Sequence, residues 1–185
     1  MRSTCFLICL ALAPIAAMAD ATIPTRDIDG AKDPDWLKRY EGSLIISHEQ
    51  RAFDAVAFPA SKLIENETDE RDASNNLVFR AKDTREVEGR YTRLVYLAPA
   101  DRSPLEVLRN YLDLVEEGGG KLIYQCADGD CGGEINGNNH GGGRQGLMEQ
   151  IYPQNRLKDE AFSNGACATG STPSEQRYAL VTLPD

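Results

Sequence analysis

The chain carries few of the signatures by which enzymes announce themselves. There are two histidines and one tryptophan in 185 residues. No Gly-x-Ser-x-Gly elbow and no His-Glu-x-x-His occurs, which removes the familiar serine-hydrolase and zinc-protease arrangements. The glycine runs 118–120 and 141–143 are followed by neither Lys-Ser nor Lys-Thr, and neither fits the dinucleotide fingerprint. A basic surplus is missing too. The net charge is −9, so nothing would be gained from phosphate neutralisation, and nucleic acid or an anionic membrane surface would repel the chain. Past residue 20 no apolar run is long enough to cross a bilayer, which excludes an integral membrane segment.

The first nineteen residues are of a different kind. Arg2 provides a positive start, Cys5 to Ala17 form a short apolar run, and Ala17-Met18-Ala19 gives the small-x-small cleavage pattern before Asp20. Residues 1–19 are therefore expected to be a cleaved secretory signal peptide. With no Cys at the cleavage point, a lipid anchor is not expected. The 185 residues less these 19 leave 166, one domain over 20–185 that buries roughly 70% of the surface its unfolded chain exposes. The net charge becomes −10 when Arg2, the leader's one charged residue, is removed.

Three cysteines remain after the leader: Cys126, Cys131 and Cys167. An odd number in a secreted chain means one disulfide and one thiol, or a bond to another chain. Local spacing favours Cys126–Cys131, with Gly129 and two aspartates in the turn between them; the competing pairing is Cys131–Cys167.

The pattern along the domain is mixed. Asp20–Pro34 reads as an extended lead-in, followed by a short turn at 36–40 whose aromatics are expected to pin it to the core. Two strands are expected at 43–48 and 53–58, paired as a hairpin around Glu49-Gln50-Arg51. In the second, Ala55 and Ala57 alternate with Asp54, Val56 and Phe58. Glu65–Asn76 is very polar and reads as a solvated excursion. Tyr91–Leu97, dense in β-branched and aromatic residues, is expected to be a central strand with at least its later half covered on both sides.

Ser103-Pro104-Leu105-Glu106 is a capping box with Pro at the first helical position. Leu108, Tyr111, Leu112 and Val115 then form one apolar stripe, and Gly118–Gly120 ends the helix. Strands follow at 121–125 and 176–183, with a short helix expected over Leu147–Tyr152. The fold class is α+β: a largely antiparallel sheet with one main amphipathic helix (103–117) packed on one face, including a strand–helix–strand unit with a right-handed return.

Candidate chemistry is thin. Asp128, Asp130, Glu134 and Asn138 offer oxygen ligands of the kind calcium takes, but the EF-hand spacing fails, because Gly132 stands where a third ligand belongs. Cys131 with His140 offers a thiol and a base, yet a bridged sulfur is no nucleophile. His48 falls in an expected strand. Arg39, Arg90 and Arg93 are candidates for anion binding or for pairing with the acidic surplus. No cofactor is called for, and no catalytic or metal residue is assigned.

Several segments recur together in order: Asp27–Pro34, Arg39–Ser43, Val87–Arg93, Ser103–Tyr111, Cys126 with Cys131-Gly132-Gly133, and Gln176-Arg177-Tyr178. This set resembles an uncharacterised Gram-negative periplasmic domain, found alone or N-terminal to OmpA-like peptidoglycan-binding domains, over residues 27–184. The resemblance implies a periplasmic location and supports the Cys126–Cys131 bridge. It brings no catalytic residues. No OmpA-like module is expected within these 185 residues, so that module's peptidoglycan binding is not carried over, and Cys167 and the Gly/Asn loop depart from the pattern. The expectation is a non-enzymatic accessory or binding domain of the bacterial envelope, its partner a protein or a glycan. The alternative is an envelope-polymer hydrolase with an unrecognised carboxylate pair.

Overall fold

The computed structural model describes residues 24–72, 75–134, 143–147, 151 and 175–184. The expected signal peptide, Asn138, His140, Cys167 and most of the expected 147–152 helix lie outside these residues.

The described residues form an α+β fold of antiparallel sheets with one main helix. Strand β1 (Leu44–Pro59) pairs antiparallel with β4 (Thr84–Leu97) as a long two-stranded ribbon. Nested between them in sequence, β2 (Leu63–Glu65) pairs with β3 (Phe79–Ala81). Helix α1 (Pro104–Glu117) follows β4, and β5 (Lys121–Ala127) then pairs with β6 (Arg177–Thr182). The strand, helix, strand order of β4–α1–β5 holds, but β5 takes its hydrogen-bond partner from β6, not from β4.

Residues 43–48 and 53–58 are not a hairpin turning at 49–51 but parts of the single strand β1. The polar residues between them have partners across the ribbon: Glu49 faces Arg93, Gln50 faces Thr92 and Arg51 faces Tyr91. With no Gly, Pro or Asn among them to favour reversal, cross-strand pairing wins. What interrupts β1 instead is a pair of bulges. Ile46 is an extra residue between the Ile45↔Tyr96 and Ser47↔Val95 pairs, so Ile45, Ile46 and Ser47 are all buried despite the strand's period of two. Further on, Ala52 and Phe53 together oppose the single residue Arg90. Tyr91–Leu97 is half-buried throughout, as expected of a covered strand, but it is not central: β4 pairs with β1 alone among the described residues.

Leu63, Phe79, Cys126, Cys131 and Leu147 form the main core, with Tyr124 and Tyr178 against it. Cys126 and Cys131 are disulfide-bonded inside this core, with Cα atoms 5.1 Å apart. Closing so short a loop contributes about 2 kcal/mol in the chain-entropy view. The 3-10 turn Asp128–Cys131 ends at Gly132, which has φ +80°, and a Cβ there would lie 1.9 Å from the Leu63 carbonyl oxygen. Only glycine lets the bridge lie against β2. The Tyr178 hydroxyl donates to the Pro59 carbonyl at 2.8 Å, tying β6 to the end of β1.

Helix α1 starts as expected, the Ser103 hydroxyl accepting from the Glu106 N–H at 3.1 Å. The second half of the capping box does not form, because the Glu106 carboxylate accepts from the Tyr40 hydroxyl at 2.5 Å and from Arg102 at 3.2 Å instead. Past the cap residue Gly118, the Gly119 N–H donates to Glu116 and the Gly120 N–H to Val115, with Gly119 at φ +72°. That is a Schellman ending. The apolar stripe Leu108, Tyr111, Leu112 and Val115 is half-buried, and the helix packs on β5 and β6.

Candidate functional site

Most of the residues that chemistry would recruit are engaged in holding the fold. Cys131 is bridged and 1% exposed, so it offers no thiol. The Asp128 carboxylate accepts from the Gln176 N–H at 2.8 Å, locking the turn after β5 to the start of β6. Glu134 accepts from the Arg144 N–H at 3.2 Å. The described residues hold no group of three or more His, Cys, Asp or Glu side chains placed to take a metal ion. His48 sits in β1 opposite Leu94.

Two of the three arginines are consumed by carboxylates. Arg39 donates to Asp33 at 2.6 Å, to Asp27 at 2.8 Å and to the Ser43 carbonyl at 3.1 Å, and lies over the Tyr96 ring. Asp27 also accepts from the Ile45 N–H, and Asp33 from the Tyr96 hydroxyl. This node binds the lead-in to both strands of the ribbon. Arg39 holds the Asp27 carboxyl below its ordinary value, while burial and then the Asp33 bond push the Tyr96 hydroxyl up. Tyr40 extends the node to α1: its N–H donates to the Tyr111 hydroxyl, and its own hydroxyl is raised by the bond to Glu106. Trp36, expected to pin this segment, is 66% exposed, and Tyr40 does the pinning.

Along the ribbon, Arg93 pairs with Glu49 at 2.7 Å, and Glu49 in turn binds Arg51, which lies over Tyr91 and reaches Asp54. The Arg93 Nε is buried with no partner among the described residues. Arg90, facing the bulge, makes no ion pair among the described residues and is exposed.

The surface left over is the outer half of the ribbon. Asp54, Val56 and Phe58 are half-buried and Ala55 and Ala57, on the alternate face, are exposed; both sets border a groove with Val87, Glu88, Tyr91 and Ile151. Directly across from these alanines stand Glu88 and Glu86, also exposed. Phe53, thrown outward at the bulge, is 70% exposed. The β1 backbone is open as well. Ile45 accepts from the Ile28 N–H, but from Ile46 to Phe58 no backbone group of β1 bonds another backbone group of the described residues except through β4. The Ala55 N–H also has the Asp54 carboxylate at 2.9 Å.

The two edges of the ribbon's outer half, both unpaired among the described residues, differ in kind. The outer half of β4 carries Arg85, Glu86, Glu88 and Arg90, the charged guard usual on an edge strand. Ala52–Phe58 of β1 carries only Asp54. Sequence reading singled out neither the bulge nor this edge; the one available signal was the charge-poor, alternating run 52–58 itself.

Comparison with family models and with curated proteins gave no match to this chain.

Proposed function

We propose that this chain is a non-enzymatic accessory or binding domain of the Gram-negative envelope, periplasmic after removal of residues 1–19, that engages its partner through the outer half of the β1–β4 ribbon. The observation that carries the reading is the charge-poor edge at Ala52–Phe58, unpaired among the described residues, beside an outward Phe53, in a domain whose Arg39 and Asp128 clusters are satisfied internally. A long unguarded edge is a template for another chain. The leader, the buried disulfide and the resemblance to a periplasmic domain seen before OmpA-like modules support the compartment. No helix among the described residues is long and apolar enough to cross a membrane.

Site-specific photo-cross-linking in intact bacteria tests this. A photoreactive residue at position 53 is expected to give a discrete adduct with an envelope component, while one at Asp113, on the exposed side of α1, gives none. Recovery of uncross-linked protein from both positions refutes the reading.

A further inference from the structure

Resting on that reading, we infer that Ala52–Phe58 of β1 accepts one added strand from a partner segment carrying Lys or Arg at alternate positions, with small apolar residues between them. Three features of the ribbon converge on this occupant. The backbone edge offers hydrogen bonds to an extended segment, the usual source of affinity in strand addition. One face presents Val56 and Phe58, with Val87 across from Val56, to every second residue of such a segment. The other face presents Ala55 and Ala57, with Glu88 and Glu86 directly across from them.

The alanines decide the charge of the partner. A residue of the added strand beside Ala55 stands two strand spacings from Glu88, roughly 10 Å. An extended Lys or Arg and a Glu side chain together close that span, and the Ala methyl lying between them leaves the path open. Ala57 and Glu86 repeat the arrangement one pleat along. Neither glutamate has an ion-pair partner among the described residues, and neither is buried. A second copy of the chain fits less well, because its own edge brings the same two glutamates and a net charge of −9.

The probe is a synthetic eight-residue peptide alternating Lys and Val, titrated by calorimetry at low salt, with amide exchange of residues 52–58 followed in parallel. It is expected to bind and to slow exchange in that segment. The Glu86→Gln/Glu88→Gln variant is expected to weaken binding about tenfold, as for the loss of two exposed ion pairs. Glu116→Gln/Glu117→Gln on α1 is expected to leave binding unchanged. The same peptide N-methylated at alternate amides, in either phase, is expected to lose binding in one of the two phases. The inference is overturned by no binding at millimolar peptide, by equal binding of both N-methylated forms, or by indifference to the paired glutamine change. It is also overturned, in favour of a second copy, if sedimentation shows a dimer that Val56→Lys dissolves. A position-53 adduct together with peptide failure discards the basic strand but keeps the docking surface; absence of both discards the surface itself.

Discussion

Replacing Arg39 by Ala should separate the lead-in from the ribbon. The guanidinium is 22% exposed, and its partners Asp27 and Asp33 are 32% and 24% exposed, so the node is mostly but not wholly shielded from water. Exposed pairs contribute about 0–1 kcal/mol, while removing one member of a buried pair costs about 3–5 kcal/mol. Here two carboxylates and the Ser43 carbonyl lose their donor together, and the contact with Tyr96 goes as well, so a loss of about 2–3 kcal/mol is expected. That is a large share of a total stability of about 5–15 kcal/mol, and it should lower the urea midpoint by about 1 M. The pH dependence supplies an independent check. Asp27 binds its proton less tightly folded than unfolded, so its contribution is present above the unfolded value of 3.8 and is lost as pH falls below it. Arg39 is the main cause of that depression, so the unfolding curves of wild type and variant should converge between pH 4 and lower pH. A gap that stays constant on acidification, or a loss under about 0.5 kcal/mol at pH 7, would refute the reasoning.

Three further substitutions probe the disulfide turn and the β6 anchor. Gly132→Ala adds a methyl 1.9 Å from the Leu63 carbonyl oxygen, against backbone that cannot rotate away, at a φ that itself costs about 1–2 kcal/mol; a loss above about 3 kcal/mol is expected in urea unfolding. Gly129→Ala, whose Cβ meets nothing within 4 Å, should change stability by under about 0.5 kcal/mol, and equal effects at both positions would sink the argument. Burial pushes the Tyr178 hydroxyl up to about 12 from 10, so its contribution is complete below pH 10 and is lost as pH rises towards 12. Tyr178→Phe should flatten the alkaline fall in stability while costing about 1 kcal/mol at pH 7 for the lost bond to Pro59; an unchanged slope contradicts this.

What the sequence made legible was local. The Ser103 cap, the stripe from Leu108 to Val115 and the glycine stop define α1 within a few residues of one another, and Cys126 and Cys131 are near enough to pair by spacing alone. The alternation of Asp54, Val56 and Phe58 with Ala55 and Ala57 also survives in the ribbon. What escaped depends on partners far along the chain. Glu49 and Arg51 look like a turn until Arg93 and Tyr91 are placed opposite them. Glu106 looks like half of a capping box until Tyr40 takes its carboxylate. Asp128 resembles a metal ligand until the Gln176 N–H occupies it. The candidate edge is harder still, because it is defined by hydrogen bonds a strand does not make, and no residue type encodes that.

The nesting of β2 and β3 inside the β1–β4 pairing has a consequence for how the molecule assembles. Leu44 and Leu97 are far apart in the chain, and bringing them together from an open coil would cost the entropy of a long loop. Closure can instead begin at the short β2–β3 pair, held at its base by the Ala60 N–H on the Asp83 carbonyl, and continue at Pro59↔Thr84. From there each successive pair encloses only the two residues just added. The nested register thus lets the long ribbon close as a zipper, with the Arg39 node, at the end reached last, as its clasp.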